Sequence, residues 1–282
     1  MRKLKWWQQL WYQLGFVLIA LFVIVPIWGM AQMAFDASVR GWPTEFRLIP
    51  REFTLDVFRA VWERPAQTLS FLGTLQNSLF VAGGAALIAV SFGASLAYAF
   101  ARLRFPGQQI GLFALLLGAL LPPVALMTPL YILLSAVGLR TTLVGIMIVY
   151  AAISMPLCVW NMRAAFQAVP KEIEEAAFID GATAWQTFWR VTLRLAMPSI
   201  GVAALIAFLI GYSEFAIGWL FVDKPGNVTL AMAISNLQRQ IGTASWSHLA
   251  AAAIMMSLPV VIVFVVLQKY LLRGSLFGAV DE

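Results

Sequence analysis

The feature that most constrains this chain is the length of its stretches without a charged side chain. Four stretches contain no Asp, Glu, Lys or Arg: residues 6–35, 65–101, 105–139 and 141–162. Two more, 195–222 and 241–267, are interrupted only by Glu214 and by His248. A helix of roughly 20 apolar residues crosses a bilayer, so each stretch is long enough to span a membrane.

The composition agrees with a membrane protein and argues against other classes. Of the 282 residues, 61% are hydrophobic and 11% are charged, whereas a soluble domain carries about 25% charged residues. The net charge of +6 could suggest a nucleic-acid partner. However, the basic residues are scattered at the ends of the apolar stretches and form no single stripe, so no nucleic acid is expected.

We predict an all-α integral membrane protein with six transmembrane helices. The predicted spans are residues 11–34, 70–101, 108–136, 142–162, 196–222 and 248–271. An outer segment, 36–68, and an outer loop, 223–247, would lie on one side of the membrane. The loop 163–194 and both termini would lie on the other. That side carries eleven Lys and Arg residues, against three in the short loops opposite, and the positive-inside rule makes it cytoplasmic.

Small residues and prolines characterise the predicted spans. Gly83 and Gly84 are typical of a helix that packs closely against other helices in lipid. Pro122 and Pro123 lie in the middle of an apolar stretch, where a proline bends or interrupts a helix. Because such breaks persist in a membrane only beside protein or a wet cavity, these two prolines are candidates for a gating or pathway role.

The polar loop between the fourth and fifth spans contains EEAAFIDGATAWQTFWRVTLRLAMP, residues 174–198. Pro170 suits the first turn of a helix, and Gly181 can take the left-handed conformation that ends one. Thr183 and Gln186 have the spacing of a capping box that opens a second helix. The loop is therefore predicted to fold as helix, turn and helix.

The second predicted helix carries an aromatic face. Trp185, Phe188 and Trp189 have the spacing that places side chains on one side of a helix. This face is predicted to lie at the membrane boundary. In the outer segment, apolar residues recur at helical spacing at Leu55, Phe58, Val61 and Trp62, which predicts a short helix lying on the membrane surface.

The loop resembles the EAA loop of the membrane-spanning subunits of bacterial ABC importers. The matching residues are Glu175, Ala176, Ala177, Gly181, Val191 and Leu193. The family usually has a proline after the last aliphatic residue, where this chain has Arg194. The segments NSLFVAGG, AYAFARLRFPG, LLPPVALMTPLYILLSAVGL and GYSEF extend the resemblance over nearly the whole chain. They are most similar to the smaller membrane subunit of maltose-type carbohydrate permeases.

The resemblance implies a role in coupling transport to ATP hydrolysis. The residues it assigns to the contact with an ATPase subunit are Glu174, Glu175, Ala176, Ala177, Asp180 and Gly181. It implies a second homologous permease subunit, two ABC ATPase subunits, an extracytoplasmic substrate-binding protein and membrane lipid as partners. ATP and Mg²⁺ would be used by the ATPase, and this chain would bind no cofactor or metal. The outer loop would reach the binding protein, and the C-terminal tail would contact the ATPase.

The expected substrate is a di- or oligosaccharide or a related polyol or glycoside, and no substrate-binding residue is assigned. Glycerol phosphate or another small polar solute is the alternative within the same family.

Two alternatives come from other functional classes. An ion-coupled secondary transporter would use ionisable groups near the bilayer centre, and Glu214 is the main candidate. For Glu214 itself, a packing, gating or pathway role is preferred to ion coupling. A membrane enzyme would need a constellation of His, Cys or carboxylate side chains, for which His248 alone is insufficient. The chain contains no G-x-x-x-x-G-K-[ST] segment, so ATP phosphates would be bound by another polypeptide. This chain is expected to have no catalytic residue.

Overall fold

The computed structural model describes residues 5–39, 47–65, 68–239 and 246–277. In chain order the helices are α1 (Trp6–Ala34), α2 (Asp56–Glu63), α3 (Phe71–Arg102), α4 (Gln108–Leu120), α5 (Pro123–Ala136), α6 (Leu143–Ala168), α7 (Lys171–Ile179), α8 (Ala184–Thr187), α9 (Leu193–Leu195), α10 (Met197–Ser213), α11 (Ala216–Phe221), α12 (Leu230–Arg239) and α13 (Trp246–Phe277). A π-helical turn, Phe188–Thr192, joins α8 to α9. Extended pairing among the described residues is one isolated bridge between Asp36 and Phe53. The predicted all-α membrane fold is confirmed.

Four of these helices are long and apolar enough to cross a membrane: α1, α3, α6 and α13 as far as Gln268. Two bent pairs are the other candidates, with α4 and α5 meeting at 103° and the segment 184–195 meeting α10 at 77°. The stretch 108–136 is therefore two helices rather than one. Leu121 and Pro122 are extended, because the residue before a proline avoids the helical conformation. The predicted span 196–222 is also divided, because α10 ends at Ser213 and α11 begins at Ala216. The described chain holds four to six candidate spans.

Helices α3, α6 and α10 pack against one another and form the core. Ala82 is fully buried in this contact, and a Cβ added at Gly211 of α10 would lie 3.2 Å from its Cα. A Cβ at Gly84 would overlap the side chain of Met147 of α6, whereas one at Gly83 would have no neighbour within 4 Å. Gly84 therefore packs closely within the chain, whereas Gly83 is exposed.

The two ends of α3 mark two ends of the bundle. Near its start, the Asn77 side chain donates to the carbonyls of Gly226 and Val228, at 2.9 and 3.0 Å. Its last residue, Arg102, contacts Glu174 of α7. We refer to these as the far end and the loop end, respectively.

The short helix predicted in the outer segment is α2, at the far end. Its buried residues are Val57 and Val61, four positions apart, and they face α13 and α3. Of the four apolar residues at helical spacing, Val61 is 2% exposed and Phe58 packs against the core, whereas Leu55 and Trp62 are 58% and 51% exposed. The predicted short helix is present.

Candidate functional site

The predicted helix, turn and helix lie between α6 and α10. Pro170 is the residue that precedes α7, one position earlier than the first-turn position expected for it. Beyond α7, Gly181 has φ +86°, the left-handed conformation that favours glycine. Its N–H donates to the Phe178 carbonyl at 3.0 Å, and the Ala182 N–H donates to the Ala177 carbonyl at 2.9 Å. These two bonds form a Schellman closure, which fixes the direction in which the chain leaves α7.

The second helix begins with the predicted capping box. The Thr183 N–H donates to Gln186 Oε1 at 2.9 Å, and the Gln186 N–H donates to Thr183 Oγ1 at 3.3 Å. The three aromatic rings that follow are in mutual contact, with centroids 5.4–6.1 Å apart. Phe188 is 5% exposed and points into the bundle, whereas Trp185 and Trp189 are 67% and 47% exposed. The aromatic face is present, but its middle member is a core residue.

Glu174 fastens the loop to the core. Its Oε1 accepts from Arg102 Nε at 3.0 Å and from Thr192 Oγ1 at 2.8 Å. Only 7% of the Arg102 side chain and 8% of the Glu174 side chain are exposed. Arg102 also donates to the Val169 carbonyl at 2.6 Å. One buried ion pair therefore joins the end of α3, the end of α6, the helix α7 and the π-helical turn.

An aromatic cluster reinforces this attachment. The rings of Tyr98 and Phe166 meet edge to face at 5.8 Å, and the rings of Tyr98 and Phe188 lie 4.8 Å apart. Tyr98 belongs to α3, Phe166 to α6 and Phe188 to the π-helical turn. Rigid rings packed in this way resist relative sliding of the elements that carry them. The loop is thus held by packing as well as by charge.

The other predicted coupling residues lie on the outside. Glu175, Ala176, Asp180 and Gly181 are exposed, and Ala177 is half-buried. At the tip of the loop Ile179 is 87% exposed. The loop therefore has an ion-paired inner side, made by Glu174, and an outer side that combines small, acidic and apolar groups.

A groove of about 510 Å³ opens between α3, α7 and α8. Tyr98, Phe178 and Trp185 contribute apolar walls, and Lys171 and Glu175 contribute charge. This groove continues the exposed side of the loop.

Comparison with known proteins gives the family. A family model described as the inner membrane component of binding-protein-dependent transport systems matches residues 89–275. The chain belongs to this family. The trehalose transport permease of Mycobacterium tuberculosis is 31% identical over 238 residues, which are 83% of this chain and 84% of the relative. The trehalose/maltose transport permease of Thermococcus litoralis is 30% identical over 269 residues, 94% of each chain.

A solved structure shares the fold of this permease. One chain of a bacterial ABC transporter that imports the polysaccharide alginate has a TM-score of 0.75 and 21% identity. The match covers 96% of this chain and 99% of the other. At this identity the similarity concerns the fold alone.

The prolines predicted to act in gating lie at the break between α4 and α5 of the permease. Pro122 is extended and Pro123 is the first residue of α5, where a missing N–H costs no hydrogen bond. Beside the break is a cavity of about 240 Å³ whose walls include Leu126, Val149 and Pro156. Its lining residues are all apolar, so this cavity offers no side chain that could hydrogen-bond a polar solute. The gating role of the two prolines stays a prediction.

Glu214 lies at a second break, between α10 and α11. Its carboxylate accepts from the N–H groups of Ala216, Ile217 and Gly218 at 3.0–3.3 Å. Its carbonyl accepts from the Tyr150 hydroxyl at 3.4 Å. The carboxylate thus caps the start of a short helix, which is a structural use of its charge.

The far end contains contacts that sequence reasoning missed. Arg140 forms an ion pair with Asp223, and Asn227 donates to the Thr141 carbonyl at 2.6 Å. The Leu230 N–H donates to Ser78 Oγ at 2.7 Å. These contacts hold the start of the outer loop on the core. In the sequence, the polar residues 77 and 78 near the start of an apolar stretch could have indicated these contacts.

Two predicted partner contacts, one with the binding protein and one with the ATPase, involve residues that the structure does not describe. The outer loop includes residues 240–245, and the C-terminal tail includes residues 278–282; both ranges are outside the part that the structure describes.

Proposed function

We propose that this chain is one membrane-spanning subunit of an ATP-driven carbohydrate importer, and that α7 with its turn couples it to an ATPase. The observation that carries the proposal is the two-sided loop. Its inner side is fixed to the core by Glu174, and its outer side presents Glu175, Asp180, Gly181 and the 87%-exposed Ile179. An exposed isoleucine at the tip of a polar loop is suited to burial against another protein.

The importer has four kinds of component besides lipid. This chain pairs with a second homologous permease subunit, two ABC ATPase subunits bind the loop end, and a substrate-binding protein docks at the far end. ATP and Mg²⁺ are bound by the ATPase subunits, since this chain lacks a glycine-rich phosphate loop. The family description, which names a binding protein, supports this assembly, as does the fold shared with an ABC importer chain. The loop end and both termini face the cytoplasm.

The substrate is a di- or oligosaccharide or a related polyol or glycoside. Support comes from the relatives, whose names refer to trehalose and to trehalose/maltose transport. The capped arrangement of Glu214 favours this importer over an ion-coupled transporter. Its carboxylate accepts the N–H groups at the start of α11, so the charge already has a structural use in this chain.

Movement of the loop is transmitted to the translocation pathway by the core helices. When the ATPase subunits close on ATP, they displace α7. The Arg102–Glu174 pair passes the displacement to α3, which packs on α6 and α10. Close packing makes the three helices move together, because packed small residues leave no room for independent sliding. The breaks beside Pro122 and Glu214 let the neighbouring segments reorient.

Replacement of Gly181 by valine tests the coupling role. A β-branched residue in the left-handed conformation costs about 1–2 kcal/mol, so the turn should lose its closure. We expect the tagged Gly181→Val chain to co-purify with its partners, while ATPase activity stimulated by the loaded binding protein falls about tenfold, the equivalent of roughly 1.4 kcal/mol. Gly15→Val is the matched control. A Cβ at Gly15, within α1, meets nothing within 4 Å.

The coupling role of the turn and the assignment as an importer are contradicted by different outcomes. Equal stimulated activity in both variants would overturn the coupling role of the turn. Recovery of the wild-type chain alone, active in vesicles without ATP, would overturn the importer itself. Mass spectrometry of the purified material identifies the partners.

A further inference from the structure

The segment 184–195, which comprises α8, the π-helical turn and α9, lies across the axis of the helix that follows it. It meets α10 at 77°. Because α10 is an apolar helix of the membrane core, a segment at this angle runs nearly parallel to the membrane surface. Residues 184–197 contain no Asp or Glu. The segment therefore has the orientation and the charge of a helix that lies at a membrane interface.

Two tryptophans of this segment face outwards. Trp185 and Trp189 are 67% and 47% exposed, and their rings meet edge to face at 5.4 Å. Phe188 anchors both rings from the inside, with centroid distances of 6.1 and 5.4 Å. Indole rings favour the headgroup level of a bilayer, where the ring is in apolar surroundings and the N–H remains hydrated.

Two arginines belong to the same segment as the indoles. Arg190 and Arg194 are exposed and four residues apart. Within the described part of the chain, neither guanidinium makes a hydrogen bond or an ion pair, in contrast to the buried Arg102. A guanidinium binds phosphate with two parallel hydrogen bonds, so two exposed guanidiniums one helical turn apart are suited to a phosphate-bearing headgroup.

An apolar groove begins one residue beyond Arg194. It has a volume of about 380 Å³ and lies between the end of α6, the start of α7 and the start of α10. Ala165, Val169, Ile173 and Leu195 contribute its walls. An acyl chain is the apolar ligand that a membrane supplies at such a position. The segment thus offers guanidinium groups for the phosphate of a phospholipid, and the groove that begins at Leu195 offers an apolar surface for one of its acyl chains.

We propose that the segment 184–195 is a binding site for an anionic phospholipid of the leaflet at the loop end. The phosphate contacts Arg190 and Arg194, the indoles of Trp185 and Trp189 lie at the glycerol level, and an acyl chain follows the groove. Lipid fits better than an acidic protein surface, because the same segment carries exposed Leu195 and two exposed tryptophans besides the arginines. The inference depends on the membrane orientation of α10 and not on the coupling role of α7.

Native mass spectrometry of the complete transporter tests this site. The complex is released from nanodiscs of phosphatidylcholine mixed with phosphatidylglycerol, and the retained lipids are counted. We expect the wild-type complex to retain phosphatidylglycerol selectively, and the double variant Arg190→Gln, Arg194→Gln to lose that selectivity. The control double variant, Arg59→Gln with Arg64→Gln, removes the same charge at the far end and should retain the lipid. Arg190→Lys with Arg194→Lys should retain part of it.

The possible results distinguish the occupants. Equal lipid retention in the Gln double variant and the control would overturn the proposal. Loss of the ATPase subunits from the Gln double variant, with lipid retention unchanged, would assign the arginines to a protein contact and overturn it as well. The Gly181→Val complex should retain phosphatidylglycerol, so a failure of the coupling proposal would leave this inference intact.

Discussion

Glu174 and Glu175 are neighbours in the sequence and have opposite environments. Glu174 is 6% exposed and paired with Arg102, whereas Glu175 is exposed at the surface of the loop. The family pattern includes Glu175, and the resemblance alone grouped both residues as contacts of an ATPase. The structure gives Glu174 a different contact, with the core of its own chain.

Neutralising Glu174 should destabilise the permease. In Glu174→Gln the Arg102 guanidinium keeps its charge in a buried position without a counter-charge, which costs on the order of 3 kcal/mol. We expect a lower thermal unfolding midpoint in detergent, measured by the loss of monodisperse protein on heating. Glu175→Gln is the matched control and should leave the midpoint unchanged, because Glu175 is exposed.

The double variant Arg102→Met, Glu174→Met provides a second check. Removing both charges replaces the ion pair with apolar side chains, which is often close to neutral for stability. Its midpoint should therefore lie above that of Glu174→Gln. If Glu174→Gln and Glu175→Gln had the same midpoint, the ion pair would contribute nothing to the attachment of the loop.

At the scale of elements, the two broken helices differ in how far the sequence predicts them. The break between α4 and α5 occurs at Pro122, where the conformational restriction imposed by a proline is visible in the sequence. The break at Glu214 has no proline or glycine next to it. A lone acidic residue in an apolar stretch suggests an ion site as readily as a helix cap. The hydrogen bonds of its carboxylate, which depend on the path of the chain, distinguish the two.

Substitution of Glu214 tests its role as a cap. Glutamine keeps one oxygen that can accept from the N–H groups at the start of α11, so Glu214→Gln should keep most of the transport activity. Leucine removes the cap, at a cost of about 1 kcal/mol, and Glu214→Leu should reduce activity further. Uptake is measured in proteoliposomes with ATP on the loop side and the loaded binding protein on the far side. An uncoupler should leave the uptake of every variant unchanged.

Loss of uptake in Glu214→Gln, together with wild-type uptake that requires a proton gradient and no ATP, would contradict this role. It would assign Glu214 to ion coupling.

Helix, turn and helix in the loop were predictable because their signals are local. Gly181 supplies the left-handed closure, and Thr183 with Gln186 supplies the capping box, all within a few residues. The contact between Arg102 and Glu174 was not predictable, because these residues are 72 positions apart. Their pairing is determined by the packing of α3 and α6, which a periodicity cannot specify.

At the scale of the whole molecule, the bundle separates a tightly packed core from an apolar exterior. The core helices α3, α6 and α10 meet through small residues such as Ala82 and Gly211. The first helix, α1, is mostly exposed, with Phe22 at 82% and Ile19 at 67%. In water this surface would be unstable, and in a bilayer lipid covers it. Composition predicts this environment, but not which helices form the centre.

Asp36 closes the far end by joining segments that are remote in sequence. Its carboxylate is fully buried and accepts from the Arg51 and Ser38 N–H groups at 3.0 and 2.9 Å. Its carbonyl accepts from Ser247 Oγ of α13 at 2.9 Å. Burial alone would raise the pKa of Asp36, but the hydrogen bonds from Ser38, Arg51 and Glu52 outweigh it and lower the pKa from 3.8 to about 2.

The stabilisation by Asp36 should therefore depend on pH in a defined direction. Because its pKa is lowered in the folded protein, the contribution is complete above about pH 3.8 and is lost as the pH falls towards 2. In Asp36→Asn, the amide nitrogen cannot accept the Arg51 N–H, and the unpaired donor costs about 1–3 kcal/mol. Unfolding midpoints of the two proteins should differ most at neutral pH and converge at acidic pH. Asp56→Asn, at an exposed carboxylate of α2, should match the wild type throughout. A constant difference between wild type and Asp36→Asn down to pH 2 would mean that the charge of Asp36 does not stabilise the far end.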